Sequence, residues 1–79
     1  MTLQQLRYVI QAADSRSMNE AAKALYISQP SLWGAIKELE KEIGIELFKR
    51  SSHGTVLTPE GEEFLGYARQ VTDQYQLLE

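Results

Sequence analysis

Three side chains spaced four residues apart carry groups suited to molecular recognition: Gln29, Trp33 and Lys37. Because residues four apart on an α-helix are neighbours on its surface, this spacing places all three on one face. A planar amide pairs with a flat hydrogen-bonding edge, an indole stacks on apolar surface, and an ammonium group neutralises an anion. The pattern therefore indicates a binding surface.

Residues suited to catalysis or metal binding do not occur in a usable pattern. His53 is the single histidine and cysteine is absent, which excludes a thiolate metal site and a histidine-based triad. Glu62 and Glu63 are adjacent on a predicted helix, so their carboxylates point about 100° apart. We therefore expect no enzyme activity, no catalytic residue, no metal and no cofactor.

The helix that positions the recognition groups is predicted to begin at Gln29. Ser28 is a suitable N-cap, and Pro30 falls in the first turn, where its missing N–H costs nothing. One apolar stripe marks the buried side, with steps of four, three and four residues: Leu32, Ile36, Leu39 and Ile43. The opposite face carries Gln29, Pro30, Trp33, Gly34, Lys37 and Lys41. We interpret this outward face as the binding face and DNA as its partner.

The elements before and after this helix complete a winged helix-turn-helix. A first helix of about three turns is indicated by Leu3, Leu6, Ile10 and Ala13. A second helix opens at Ser17, and Glu20 three residues later predicts a reciprocal capping box. Gly44 is placed to end the third helix. Two short β-prone runs, 47–50 and 55–58, flank a turn-rich link and predict a two-stranded wing. The expected fold class is mainly α.

A long last helix is predicted from Pro59 to the end of the chain, with Thr58 as its N-cap. Its apolar residues follow the spacing of a helix-to-helix seam, which Leu65 and Leu77 widen: Phe64, Ala68, Val71, Tyr75 and Leu78. Because the preceding elements form a domain that is complete without this helix, we expect the seam to pack on a second copy in a homodimer. The predicted division is a DNA-binding domain, 1–58, and a linker or dimerisation helix, 59–79.

The charge of the chain bears on the partner. A net charge of −3 argues at first against a nucleic acid. However, the segments 15–37 and 47–59 each carry an excess of two positive charges, whereas the acids lie in 38–46 and 60–79. A winged-helix module for protein association, with Trp33 as its anchor and no DNA function, remains the alternative. With no membrane-length apolar run and no secretory signal, we expect a cytoplasmic protein that does not bind a membrane.

Five motifs resemble the N-terminal DNA-binding domain of LysR-type transcriptional regulators, a bacterial family of winged helix-turn-helix proteins. They are SMNEAAKAL (17–25), SQPS (28–31), IKELE (36–40), LFKR (47–50) and LTPEG (57–61). The resemblance implies that the helix after Ser28 enters the major groove and that the wing near Arg50 reaches the minor groove. It also implies that the last helix dimerises and leads to an effector-binding domain, absent from this sequence, through which alone a small-molecule effector would act. A symmetric dimer requires an inverted-repeat operator.

The residues predicted to contact double-stranded DNA combine these observations. They are Ser17, Ser28, Gln29, Pro30, Ser31, Trp33, Gly34, Lys37, Lys49 and Arg50. The amide of Gln29 suits a bidentate pair with adenine, and the cations suit phosphates. Trp33 and Gly34 depart from the family pattern of a small hydroxyl residue followed by a long polar one. The indole could pack on a thymine methyl or be half-buried against the first helix, and the glycine allows close approach or removes a contact.

Overall fold

Four helices and a two-stranded sheet follow one another along the chain. The computed structural model describes all residues, 1–79. The elements are α1 (Leu3–Asp14), α2 (Met18–Leu25), α3 (Gln29–Ile43), β1 (Phe48–Ser51), β2 (Gly54–Leu57) and α4 (Pro59–Leu78). The predicted winged helix-turn-helix with a long last helix is confirmed. No helix combines the length and the apolar character needed to cross a membrane.

Helix α3 forms as its sequence predicts. The Ser28 hydroxyl oxygen accepts a hydrogen bond from the backbone N–H of Ser31 at 3.1 Å, which satisfies a free donor of the first turn. At the other end Gly44 has φ +77°, the left-handed conformation that ends helices. The predicted stripe faces the core. Leu32, Ile36 and Leu39 are at most 1% exposed, and Ile43 is half-buried.

The capping box lies on a different helix from the one predicted. At α2 only half of the box forms. The Ser17 side chain accepts from the Glu20 N–H at 3.1 Å, but the exposed Glu20 carboxylate does not accept from the Ser17 N–H. The complete box is at α1, where the Thr2 side chain accepts from the Gln5 N–H at 3.1 Å and the Gln5 side chain accepts from the Thr2 N–H at 2.9 Å. Glutamine thus completes the box.

The buried face of α1 is wider than the predicted stripe and is rotated from it. Leu6, Val9 and Ala12 are buried, whereas Ile10 and Ala13 of the predicted set are only half-buried. The physical reason is that α1 packs against three helices, α2, α3 and α4. A helix with several neighbours does not present the single narrow stripe expected of a surface helix.

The wing is a tight antiparallel hairpin. Phe48 pairs with Leu57 and Ser51 with Gly54, so only two residues form the loop, and Gly54 takes φ +107°. The predicted strands are confirmed with their bounds shifted by one residue. Thr58 leaves the second strand because it caps α4, accepting from the Gly61 N–H at 2.9 Å.

Helix α4 is part of the domain and not only an appendage to it. Ala68 is 2% exposed, and Phe64 and Leu65 are half-buried against the core, since α4 packs along α1. The expectation that the domain is complete without this helix is therefore wrong, and so is the placement of Ala68 in a free seam. An Arg69 hydrogen bond to Asp14, at 3.1 Å, ties the two helices together and lowers the pKa of that carboxyl, against the opposing effect of desolvation.

Candidate nucleic-acid interface

The N-terminal half of α3 presents three of the predicted contact residues to solvent. Pro30, Ser31 and Gly34 are exposed, and Gln29 is half-buried at the start of the helix. The Ser28 hydroxyl donates to the Ser31 hydroxyl oxygen at 2.8 Å, which links the cap to the first turn. Beyond the adjoining turns of α3 itself, no atom lies within 4 Å of the position that a Cβ would take at Gly34, so the surface there is open. This face is accessible.

Trp33 is half-buried and packs against the core, so the indole is not the freely exposed group that the helical wheel suggested. The alternative of partial burial is the observed one. Two cations lie near its ring, with the Lys37 Nζ 4.6 Å and the Arg50 Cζ 5.1 Å from the ring centroid. These distances are those of cation–π contacts. The structure thus brings Trp33 and Lys37 of α3 together with Arg50 of the wing.

The wing places its two cations on opposite faces. Successive side chains of a strand alternate, so Arg50 lies on the same face as Phe48, which is 2% exposed in the core. Phe48 therefore holds that face of β1 toward α3, and Arg50 reaches the Trp33 ring. Lys49 points to the other face, where its pairing partner Val56 is 40% exposed.

Glu40 joins α3 to the wing, a role that the sequence analysis missed. Its carboxylate is only 8% exposed and accepts from the backbone N–H groups of Leu47 at 2.7 Å and Phe48 at 3.1 Å. The other oxygen lies 3.0 Å from the Lys37 Nζ. The available signal was its position four residues after Ile36, which puts it at the edge of the buried stripe.

Engaged acids reduce the negative charge of α3. Glu40 is paired with Lys37, and Glu42 is paired with the amino group of Met1. The acidic excess predicted for the second half of this helix is therefore partly neutralised within the chain. Exposed cations on the wing remain beside the N-terminal half of α3, and Lys37, although paired with Glu40, is partly exposed there. Such a surface suits an anionic polymer.

The predicted serine contacts divide between two helix starts. Ser17 caps α2 and accepts from the Glu20 N–H, whereas Ser28 and Ser31 lie together at the start of α3. No direct contact links Ser17 or Lys49 to the cation cluster around Trp33. Histidine and carboxylate side chains do not gather into a group that could hold a metal ion.

Two further residues of structural consequence carried weak signals in the sequence. Gly61 is buried, and a Cβ there would lie 2.1 Å from the Leu47 backbone oxygen, so α4 approaches the wing closely only with glycine. Tyr26 joins α2 to α3 in the left-handed conformation, with φ 60°, and its side chain is 94% exposed. The glycine was visible within a motif, whereas nothing about a tyrosine predicts a positive φ.

The fold and this surface define a winged helix-turn-helix protein whose exposed helix lies beside a basic wing. The sequence profile described as "Bacterial regulatory helix-turn-helix protein, lysR family" matches residues 3–62. The chain belongs to this family.

Curated relatives are named as transcriptional regulators. TfdS of Cupriavidus pinatubonensis (strain JMP 134 / LMG 1197) is 42% identical over 73 residues, covering 92% of this chain and 25% of TfdS. BudR of Klebsiella aerogenes is 50% identical over 64 residues, covering 81% of this chain and 45% of BudR. The chain thus spans about a quarter of the length of TfdS.

Solved structures share the fold along nearly the whole chain. The complex of BenM_DBD with catB site 1 DNA matches with a TM-score of 0.93 and 37% identity, over 99% of this chain and 84% of that one. The CbnR_DBD–DNA complex matches with a TM-score of 0.90 and 37% identity, over 96% and 87%. Full-length CbnR, a LysR family transcriptional regulator, matches with a TM-score of 0.91 and 37% identity, over 96% and 26%.

Proposed function

We propose that this chain is the sequence-specific DNA-binding module of a bacterial LysR-type transcriptional regulator. The observation that carries the proposal is the fold: α3, with its exposed polar face beside a basic wing, belongs to a chain that matches two DNA-bound relatives at TM-scores of 0.93 and 0.90. In this proposal α3 lies in the major groove and the wing lies on the flanking backbone and minor groove. A DNA partner implies a cytoplasmic protein.

The contact residues divide by chemistry. Gln29, at the start of α3, pairs with an adenine edge, and its neighbours Pro30 and Ser31 lie along the base pairs. Lys49 and Arg50 of the wing neutralise phosphates, as does Lys37. Ser17 donates its hydroxyl proton to a phosphate oxygen while its oxygen continues to cap α2. Ser28 does the same at α3 by exchanging its bond to the Ser31 hydroxyl oxygen for one to the phosphate.

The proposed assembly is a homodimer on an inverted-repeat operator. With Ala68 buried in its own chain, the surface left for a second copy is the exposed apolar part of α4: Val71, Tyr75, Leu77 and Leu78, with the half-buried Phe64 and Leu65 at its edge. In this arrangement residues 1–58 bind DNA, and the helix 59–79 both braces α1 and joins the two copies. A charged substitution, Val71→Glu, should convert the dimer to a monomer in sedimentation equilibrium.

The function is tested by fluorescence anisotropy with duplexes selected from a random pool. Gln29→Ala should weaken binding to the selected duplex by about 1–3 kcal/mol and relax its specificity, because the bidentate pair is lost. Gln70→Ala removes the same side chain from an exposed position of α4 and serves as the matched control. It should leave the affinity unchanged.

The acidic net charge favours one alternative, a protein-association module with Trp33 as its anchor. The two functions separate at low salt, where phosphate contacts are strongest. If the unsubstituted chain binds neither the selected nor a random duplex at low salt and high protein concentration, DNA binding is refuted and association is favoured.

A further inference from the structure

We propose that Trp33 is a positioning residue that holds Lys37 of α3 and Arg50 of β1 as one two-cation site for a DNA phosphate. The inference rests on the proposed DNA-binding function and deepens it. In this proposal the indole contributes to phosphate binding through the two cations that it positions, and it does not contact a base edge. The shared site also makes α3 and the wing bind DNA as one unit.

The geometry around the ring supports this assignment. The Lys37 Nζ and the Arg50 Cζ lie 4.6 and 5.1 Å from the same ring centroid, so they are no more than about 10 Å apart. The Debye length at physiological salt is about 8 Å, so the repulsion between the two positive charges is only partly screened. The electron-rich indole and the Glu40 carboxylate beside Lys37 offset part of this repulsion, and an anion held by both cations would offset more.

Contacts on both sides hold the cations in place. The Lys37 ammonium also lies 3.0 Å from Glu40, whose second oxygen accepts from the backbone of Leu47 and Phe48. The anchored Phe48 and the strand alternation direct Arg50 toward the ring. Lys37, Glu40 and the first strand of the wing thus form a closed set of contacts around Trp33.

The neighbours of Trp33 on α3 explain why this site would matter. Gly34 and Ala35 carry no long polar side chain, so Lys37 is the one cation that α3 itself places beside the indole. The indole is half-buried and packed on the core, so it serves as a fixed platform and not as a mobile group. Arg50 therefore supplies from the wing a second positive charge beside Trp33.

The contact is tested first without DNA, so that its failure is separate from a failure of DNA binding. Trp33 is the only tryptophan, and its indole N–H gives one NMR signal. Arg50→Ala should move that signal because the guanidinium leaves the ring. Arg7→Ala removes a guanidinium from a similar contact, 5.6 Å from the Tyr75 ring, and should leave the indole signal unchanged. An indole signal that Arg50→Ala does not move would overturn the proposal.

The second arm measures binding to the selected and to a random duplex across a range of salt concentrations. Trp33→Leu keeps an apolar side chain on the core but lacks the ring, and it should weaken binding to both duplexes by about two- to fivefold. The slope of log K against log salt should become shallower by about one contact. Trp33→Phe keeps a ring with a weaker cation–π contact, so its affinity should lie between those of the unsubstituted protein and Trp33→Leu.

Coupling to Arg50 completes the test. In the Arg50→Ala background, Trp33→Leu should cost less affinity than it does in the unsubstituted protein, because only Lys37 is left for the indole to position. Thermal unfolding of each variant identifies any loss of folded protein. The proposal is overturned if Trp33→Leu weakens only the selected duplex with an unchanged salt slope, which is the behaviour of a base contact, or if its effect is undiminished without Arg50.

Discussion

Replacing Glu40 with alanine should destabilise the protein more than the same replacement at any exposed acid. The carboxylate is buried and accepts from two backbone N–H groups, of Leu47 and Phe48, while pairing with Lys37. Removing it leaves buried donors without an acceptor, at about 1–3 kcal/mol each. We expect the free energy of unfolding to fall by about 3 kcal/mol, a large part of the roughly 4–12 kcal/mol typical of a chain of 79 residues.

The assay is thermal unfolding followed by circular dichroism. A loss of about 3 kcal/mol corresponds to a fall in Tm of about 12–24 °C for a domain of this size. Glu38→Ala, two residues away and exposed, is the matched control and should change the Tm by no more than a few degrees. Hydrogen exchange should show faster exchange at the Leu47 and Phe48 amides. A Tm within about 3 °C of the unsubstituted protein would refute the reasoning from these bonds.

Three other substitutions test separate features. Gly61→Ala should lower the free energy of unfolding by about 1–3 kcal/mol, because the new Cβ would lie 2.1 Å from a backbone oxygen. The control Gly66→Ala, at a helix position with open space around it, should raise that free energy by about 0.5–1 kcal/mol. Tyr26→Gly should raise it by about 1 kcal/mol by relieving the left-handed strain of a side chain that is 94% exposed. Asp14→Asn should lower it by less than about 1 kcal/mol at pH 7, since both Asp14 and its partner Arg69 are half-exposed.

The measurements for these variants are chemical unfolding curves, with the pH varied for the last. The Asp14 carboxyl has a pKa lowered from 3.8 in the folded chain by its Arg69 hydrogen bond, so its contribution is complete above 3.8 and is lost as the pH falls through the lower value. A difference that grows on acidification would contradict this. Tyr26→Ala keeps a Cβ and should gain nothing. Equal effects at Gly61 and Gly66 would contradict the close approach of α4.

Local features of the sequence predicted most of the fold correctly. The N-caps at Ser28 and Thr58, the glycine at 44 and the buried stripe of α3 each depend on residues within a few positions of one another. A cap and a helical period are properties of one turn or one face, so they can be recognised without knowing what packs against them. The wing was predictable for the same reason, to within one residue at each strand end.

The errors in the buried faces arose where a helix packs against more than one element. The predicted stripe of α1 missed Val9 and Ala12, and the seam assigned to α4 included Ala68, which is buried against its own domain. A periodic apolar pattern indicates that a face is covered but not what covers it. Only the packing of α4 along α1 shows which part of the seam remains for a second copy.

The same distinction between local pattern and tertiary packing applies to the candidate site. The sequence alone determined that α3 has one aliphatic face and one polar face, because both properties depend on spacing within a single helix. The tertiary structure decided that Trp33 is half-buried, that Arg50 reaches it from the wing, and that Glu40 bonds to the backbone before β1. Those contacts join elements whose relative position is set by the packing of the whole core, and no local pattern of residues specifies that position.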